Sequence, residues 1–138
     1  MSNLDFPKIY KEGLHIEWPF SFSLEDMKVF SKLSKDFNSI HSNTQFAKSK
    51  GFETPIVHGL LLSSQMSRLI GQELPDKNSI LTGIKMNFNK PCFPNDNLVF
   101  IADLKNISPS TYSLEFNCKI LRKDDILCTG KVSAIWKP

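Results

Sequence analysis

Residues 58–72 read HGLLLSSQMSRLIGQ, and this stretch decides the fold that the sequence predicts. It follows a turn at Pro55, and Gly59 stands at its beginning. A helix that is apolar on nearly all sides is a buried one, so we expect a central helix of about four turns here. The apolar side chains that produce the pattern are Leu60, Leu61, Leu62, Met66, Leu69 and Ile70.

Alternating apolar residues follow the helix in four stretches, which is typical of half-buried strands. They lie in residues 80–88, 98–104, 112–120 and 127–136. In the first stretch one face is predicted to carry Ile80, Thr82, Ile84, Met86 and Phe88, and the other Leu81, Lys85, Asn87 and Asn89.

The residues before the central helix predict one more strand and one more helix. Residues 14–22 alternate like a strand, and Ser23 is a plausible N-cap for an amphipathic helix that ends near Ser34 and Lys35. The sum is an α+β fold in which one antiparallel sheet curls around a long buried helix. We expect one domain over residues 1–138, with residues 1–13 irregular. The open sheet edge favours pairing with a second copy.

Composition limits the function classes. The chain has 138 residues, of which 41% are apolar and 22% charged, and a net charge of +3. These are ordinary globular values. The lysines are scattered, so nucleic-acid binding is not indicated.

Three cysteines without C-x-x-C spacing favour neither a disulfide framework nor a zinc site. No leader peptide or membrane-spanning run is evident. We expect a cytoplasmic protein without membrane contact, metal or cofactor.

Acid–base chemistry is suggested by the sequence Asp36-Phe37-Asn38-Ser39-Ile40-His41. Near neutral pH a carboxylate is ionised and an imidazole mostly neutral, so together they can hold one water and move its proton. The backbone N–H of Gly59, at a helix N-terminus, suits a negative oxygen. Each residue alone also has a structural interpretation. Asp36 can cap a helix end, Asn38 can tie the loop through its side chain, and His58 reads as a capping or packing residue.

The combined motifs resemble the MaoC-like family of (R)-specific enoyl-CoA hydratases. The family pattern S-G-D-x-N-P-x-H, with a small residue after the gap, is similar to residues 34–41 followed by Ala47. The segment Pro55-Ile56-Val57-His58-Gly59-Leu60-Leu61 is similar to the family's helix entry. Two departures stand out, because Lys35 replaces the usual Gly and Ser39 the usual Pro.

This resemblance implies a hot-dog fold, a homodimer or larger homo-oligomer, and reversible hydration of trans-2-enoyl thioesters to (R)-3-hydroxyacyl thioesters. It implies that Asp36 and His41 activate the water and that the N–H of Gly59 binds the thioester oxygen. Asn38 and Ser67 receive supporting roles. The acyl thioester is carried by CoA, with an acyl carrier protein (ACP) as the other possible carrier.

Two alternatives remain open. One is a 3-hydroxyacyl-ACP dehydratase of fatty-acid or polyketide-type synthesis. The other is a non-catalytic hot-dog subunit that binds acyl groups, which would be expected to lose the Asp or the His. Thioester hydrolases of this fold generally carry an acid within the central helix, and residues 58–72 contain none.

Overall fold

Five antiparallel strands and three α-helices account for most of residues 6–138, which are the residues that the computed structural model describes. The strands are β1 (His15–Phe20), β2 (Ser79–Phe88), β3 (Leu98–Ser108), β4 (Ser113–Arg122) and β5 (Asp125–Trp136). The helices are α1 (Leu24–Ser34), α2 (Thr44–Ser49) and α3 (Gly59–Arg68). A 3-10 turn (Ser39–His41) precedes α2, and a π-helical turn (Leu69–Glu73) continues α3. The strands form one sheet in the order β1-β3-β4-β5-β2.

The sheet wraps around α3, whose side chains fill the core. Leu62, Met66, Leu69 and Ile70 are each at most 3% exposed. Irregular register in three strand pairs helps the sheet to curve, since bulges bend strands. The predicted α+β hot-dog fold is therefore confirmed. No helix among residues 6–138 is long and apolar enough to cross a membrane.

The start of α1 follows the local rules that its sequence suggests. Ser23 is the N-cap, and its side chain accepts a hydrogen bond from the backbone N–H of Asp26, while the Asp26 carboxylate accepts one from the N–H of Ser23. This reciprocal pair is a capping box. The helix ends at Ser34, directly before the predicted catalytic loop.

The N-terminal segment packs on the sheet without forming a helix or strand over residues 6–14. Phe6 and Tyr10 are buried, and the Tyr10 hydroxyl donates to Asp76 Oδ1 at 2.9 Å. The indole of Trp136 donates to the other carboxylate oxygen of Asp76, also at 2.9 Å. Residues 1–5, which share the predicted irregular segment, lie outside the described residues.

The predicted faces of β2 are wrong at its beginning. A bulge between Leu81 and Gly83 shifts the register against β5, so Leu81 pairs with buried Ala134. Paired residues of an antiparallel ladder point to the same face, and one extra residue reverses the alternation. Leu81 therefore lies on the core face, and Ile80 on the opposite one. After the bulge, Ile84, Met86 and Phe88 share one face as predicted, opposite Val132, Gly130 and Cys128, and this face is turned toward α3. Because β2 is an edge strand, Ile84 and Phe88 remain 47% and 50% exposed there.

Close contact between β5, β2 and α3 requires a glycine at residue 130. A Cβ atom there would overlap the carbonyl oxygen of Lys85 and would lie 2.6 Å from the Met66 methyl carbon. We expect Gly130→Ala to lower the free energy of unfolding by about 1–3 kcal/mol, the usual cost of overpacking. Urea unfolding at a fixed protein concentration measures this.

The matched control is Gly71→Ala, because a Cβ at Gly71 meets no atom within 4 Å. Helix propensity makes that change neutral or stabilising. Equal stability of the parent and Gly130→Ala would contradict the described packing.

Candidate active site

The chain turns sharply out of α1 and so brings the exposed side chain of Asp36 close to His41. Lys35 adopts the left-handed conformation (φ 65°, ψ 17°) and its N–H donates to the carbonyl of Ser31 at 2.8 Å. Asp36 Oδ1 then accepts a hydrogen bond from the N–H of Asn38 at 3.1 Å. Asn38 Oδ1 in turn accepts from the N–H of Ile40 at 3.0 Å. The loop is therefore held by its own side chains, including the loop-tying contact that the sequence predicts for Asn38.

His41 is anchored through one ring nitrogen and leaves the other available. Its Nδ1 lies 2.7 Å from the carbonyl oxygen of Ile56. A carbonyl can only accept, so Nδ1 carries the proton and Nε2 of the neutral ring is an acceptor. A carboxylate oxygen of Asp36, a ring nitrogen of His41 and a ring nitrogen of His58 all lie within 4.8 Å of one another. One water can bridge the Asp36 oxygen and the His41 nitrogen over that distance.

Gly59 begins α3 and presents a backbone donor. His58 is the N-cap, and its carbonyl accepts from the N–H groups of Leu61 and Leu62. The N–H of Gly59 has no acceptor among the described residues. The first N–H groups of a helix lack intrahelical partners and favour negative charge. A Cβ on Gly59 would lie 2.9 Å from Cζ of Phe88, so this ring packs directly over the glycine.

His41 and Gly59 line the same cavity, which measures about 340 Å³. Its other walls are mainly apolar and come from Phe52, Ile56, Val57, Leu62 and residues 88–92. An apolar pocket with a few converging polar groups is the usual form of a small-molecule site. Asp36 is not among the lining residues of this cavity. Larger hollows, such as one of about 390 Å³ on the sheet around Lys85, Lys119 and Lys131, are lined by neither His41 nor Gly59.

His41 also borders a second, smaller cavity of about 210 Å³. Its lining combines apolar Leu24 and Phe37 with polar Lys28, Ser31 and Ser42. The imidazole therefore forms part of the wall between a cleft beside α1 and the cleft beside Gly59.

His58 is the site residue whose contacts the sequence does not reveal. It is 2% exposed, and its ring stacks on His41 at a centroid distance of 3.9 Å and an interplanar angle of 23°. Its Nε2 lies 2.9 Å from the Ser31 hydroxyl, while its Nδ1 is buried without a hydrogen bond. Burial lowers the pKa of His58, the neighbouring His41 lowers it further, and Asp36 acts in the opposite direction. The side chain makes no capping hydrogen bond.

Asp36, His41 and His58 offer ligand types that a divalent metal accepts. Their geometry does not fit such a site. Nitrogen lone pairs lie in the ring plane, and the two imidazoles stack with their planes only 23° apart. Lone pairs that lie in two nearly parallel planes, with the ring centroids 3.9 Å apart, do not converge on one ion.

Ser67 lies away from these groups. It is exposed on α3, eight residues after Gly59 or about 12 Å along the helix axis, and lines neither cavity. Its predicted supporting role stays a prediction. Ser63 is nearer, and its hydroxyl donates to the Gly59 carbonyl at 3.1 Å.

The sequence of the chain was compared with protein families and with known proteins. The family described as "MaoC like domain" matches residues 5–116. An (R)-specific enoyl-CoA hydratase from Aeromonas caviae is 45% identical over 75 residues, although this alignment spans only 54% of the chain and 56% of that protein. A mitochondrial 3-hydroxyacyl-[acyl-carrier-protein] dehydratase from Arabidopsis thaliana is 26% identical over 118 residues, which cover 83% of the chain and 70% of that protein.

A solved structure agrees with the sequence comparisons over nearly the whole chain. The (R)-hydratase from A. caviae involved in PHA biosynthesis superposes with a TM-score of 0.88 and 29% identity, covering 95% of this chain and 100% of that one. The motif residues 34–41 and the helix entry at Gly59 fall inside the family match. The chain therefore belongs to the MaoC-like domain family.

Proposed function

We propose that the protein is an enzyme that reversibly adds water to trans-2-enoyl thioesters and forms (R)-3-hydroxyacyl thioesters. One observation carries the proposal: the carboxylate of Asp36 lies within 4.8 Å of a His41 nitrogen, and His41 shares its cavity with the backbone N–H of Gly59. An acid–base pair therefore lies beside a donor for a developing negative oxygen. The relatives named as enoyl-CoA hydratases support the same reaction.

The first step that this geometry supports is activation of the water. A water between Asp36 and His41 loses one proton to one of the pair as its oxygen bonds to C3 of the enoyl group. The electron pair of the C2–C3 double bond moves toward the thioester carbonyl and gives an enolate-like oxygen. A proton then returns to C2, which restores the resting protonation of the pair. Positioned acid–base groups of this kind contribute roughly 10²–10⁴-fold to the rate.

The developing oxygen is stabilised by the N–H of Gly59 in this proposal. The donor lies at the N-terminus of α3, where the helix dipole adds to its attraction for negative charge. Because residue 59 has no side chain, a thioester can approach the main chain closely. The Phe88 ring over Gly59 and the walls formed by Phe52 and Leu62 suit the apolar part of the substrate.

The carrier of the acyl group separates two candidate functions. The A. caviae relative is named for a CoA substrate, whereas the A. thaliana relative is named for an acyl carrier protein substrate. Dehydration of a 3-hydroxyacyl-ACP is the same reaction in reverse and would use the same groups. We favour CoA because of the higher identity to the hydratase, and keep the dehydratase as the second candidate. Cys92, Cys118 and Cys128 are all buried and unpaired, which supports a reducing compartment such as the cytoplasm.

A homodimer is also part of the proposal. β2 is an edge strand, and exposed apolar side chains lie along it and at the start of α3: Ile84 is 47%, Phe88 50% and Leu60 68% exposed. Phe88 packs on Gly59, so this surface adjoins the cavity. Unpaired edges with apolar neighbours are normally covered. A second copy docked along β2 would cover this one.

The assay that tests the reaction follows loss of enoyl absorbance with crotonyl-CoA and longer enoyl-CoAs. The parent should turn over, and Asp36→Asn and His41→Ala should each lose about 10²–10⁴-fold in kcat, because each removes one partner of the bridging water. His15→Gln is the matched control, since His15 is an exposed histidine outside both cavities. An unchanged rate in either site variant would refute the assigned roles.

The dimer is tested by sedimentation or gel filtration. We expect the parent to behave as a dimer and Ile84→Lys to shift it toward monomer, because a charge would then be buried at the interface. Ile126→Lys is the control, since Ile126 is similarly exposed (42%) but lies at the hairpin end of β5. A monomeric parent at the concentration of a working assay would rule out the dimer.

A further inference from the structure

His58 lies between α1, the loop that carries Asp36 and His41, and the first residue of α3. Its ring stacks on His41 and contacts Phe30 edge to face at 4.8 Å. Its Nε2 bonds to Ser31 on α1, and the backbone of Asp36 comes close enough to affect its pKa. The peptide bond after His58 carries the N–H of Gly59. One buried side chain therefore stacks on His41, has a ring nitrogen within 4.8 Å of the Asp36 carboxylate and is adjacent in sequence to the oxyanion donor.

The same contacts exclude His58 itself as the acid or base. Its side chain is 2% exposed, whereas Asp36 is exposed and His41 half-buried, so water and substrate reach those two side chains and not the His58 ring. Hydrogen bonds of an imidazole lie in the ring plane, and stacked rings present their faces to each other. His58 therefore passes no proton to His41, and its influence on that ring is steric and electrostatic.

We propose that His58 is a positioning residue, whose flat ring holds the imidazole of His41 at the angle needed to share a water with Asp36. This inference rests on the proposed function and deepens it. Ser31 keeps the His58 ring in place through the bond to Nε2. Among the described residues, the one hydrogen bond of the His41 ring runs from Nδ1 to the carbonyl of Ile56, and the ring could tilt about this bond. Stacking removes that freedom on one side.

The electrostatics agree with this role. Burial and the neighbouring His41 both lower the pKa of His58. The ring therefore stays neutral while His41 accepts a proton during turnover, and two positive imidazoles do not face each other at 3.9 Å. A misplacement of about 1 Å in a catalytic group can cost about 10²-fold in rate, so a contact that sets the His41 angle has a measurable kinetic effect.

The test compares two variants that differ in the shape of the apolar side chain at residue 58. Ser31→Ala combined with His58→Phe removes both partners of the buried hydrogen bond, which leaves no unpaired group, and keeps a flat ring against His41. Ser31→Ala combined with His58→Leu removes the same bond but offers no flat face. Thermal unfolding establishes that both variants are folded at the assay temperature. Values of kcat and KM are then measured with crotonyl-CoA.

We expect the Phe variant to keep kcat within about fivefold of the parent, and the Leu variant to lose about 100-fold in kcat with KM changed less than about threefold. Equal kcat values in the two variants would overturn the inference. If both variants have a kcat near that of the parent, stacking on His41 does not contribute to the rate. If both are equally inactive, the His58 nitrogens are needed instead. If one variant does not fold, His58→Tyr and His58→Met in the Ser31→Ala background repeat the flat-against-flexible comparison.

The parent is measured in the same series, so a failure of the proposed hydratase activity can be distinguished from a failure of the proposed role of His58. A parent that does not hydrate any enoyl-CoA contradicts the proposed function. A parent that turns over without the difference between the flat and flexible variants contradicts only the role of His58.

Discussion

The stack of buried His58 on half-buried His41 is the contact on which the geometry of the site depends. It exists because α3 is driven into the core by Leu62, Met66 and Leu69, which carries its N-cap residue into the interior as well. A polar ring at that depth needs partners, and Ser31 supplies one. The same burial that stabilises the fold therefore presses an imidazole against the face of His41.

This constraint also explains why the site lies at one end of the central helix. The N–H of Gly59 has no acceptor among residues 6–138 because Gly59 is the first residue of α3. His58 precedes it directly, and the loop that carries Asp36 and His41 packs against His58. The acid–base groups Asp36 and His41 and the N–H donor of Gly59 therefore meet at the N-terminus of α3. The sheet contributes the far wall of the cavity through the end of β2.

Much of this arrangement follows from short-range sequence rules. The N-cap at Ser23 and the buried helix that begins after residue 58 can both be predicted, because each depends only on residues close in sequence. The faces of β2 were mispredicted because the bulge after Leu81 depends on pairing with β5, which the spacing of apolar residues does not encode. The role of Ser31 was missed for the same reason: its partner His58 lies 27 residues away. Ser67 was placed at the site by family resemblance alone, and the helix geometry puts it two turns further along.

The two departures from the family pattern have a backbone explanation. Lys35 adopts φ 65°, a left-handed conformation that a glycine enters freely and that costs other residues about 1–2 kcal/mol. Ser39 is the first residue of the 3-10 turn, a position where the fixed φ of proline is favourable. Neither replacement removes a reacting group. Lysine at residue 35 adds strain at the start of the loop, and serine at residue 39 leaves free a φ angle that proline would fix. Contacts such as the stack with His58 therefore contribute more to positioning the loop.

The most direct measurement is a ¹⁵N NMR titration of the imidazole nitrogens, since the chain contains only three histidines. We expect the neutral ring of His41 to carry its proton on Nδ1, which donates to the Ile56 carbonyl. It predicts a titration midpoint for His58 below the ordinary histidine pKa, because the ring is buried beside His41. The pKa of His15, raised by hydrogen bonds to Asp103 and Glu17, should give a midpoint above the ordinary value and serves as the internal reference. A neutral His41 ring with its proton on Nε2, or a His58 midpoint at or above the ordinary value, would contradict the proposed arrangement of the two rings.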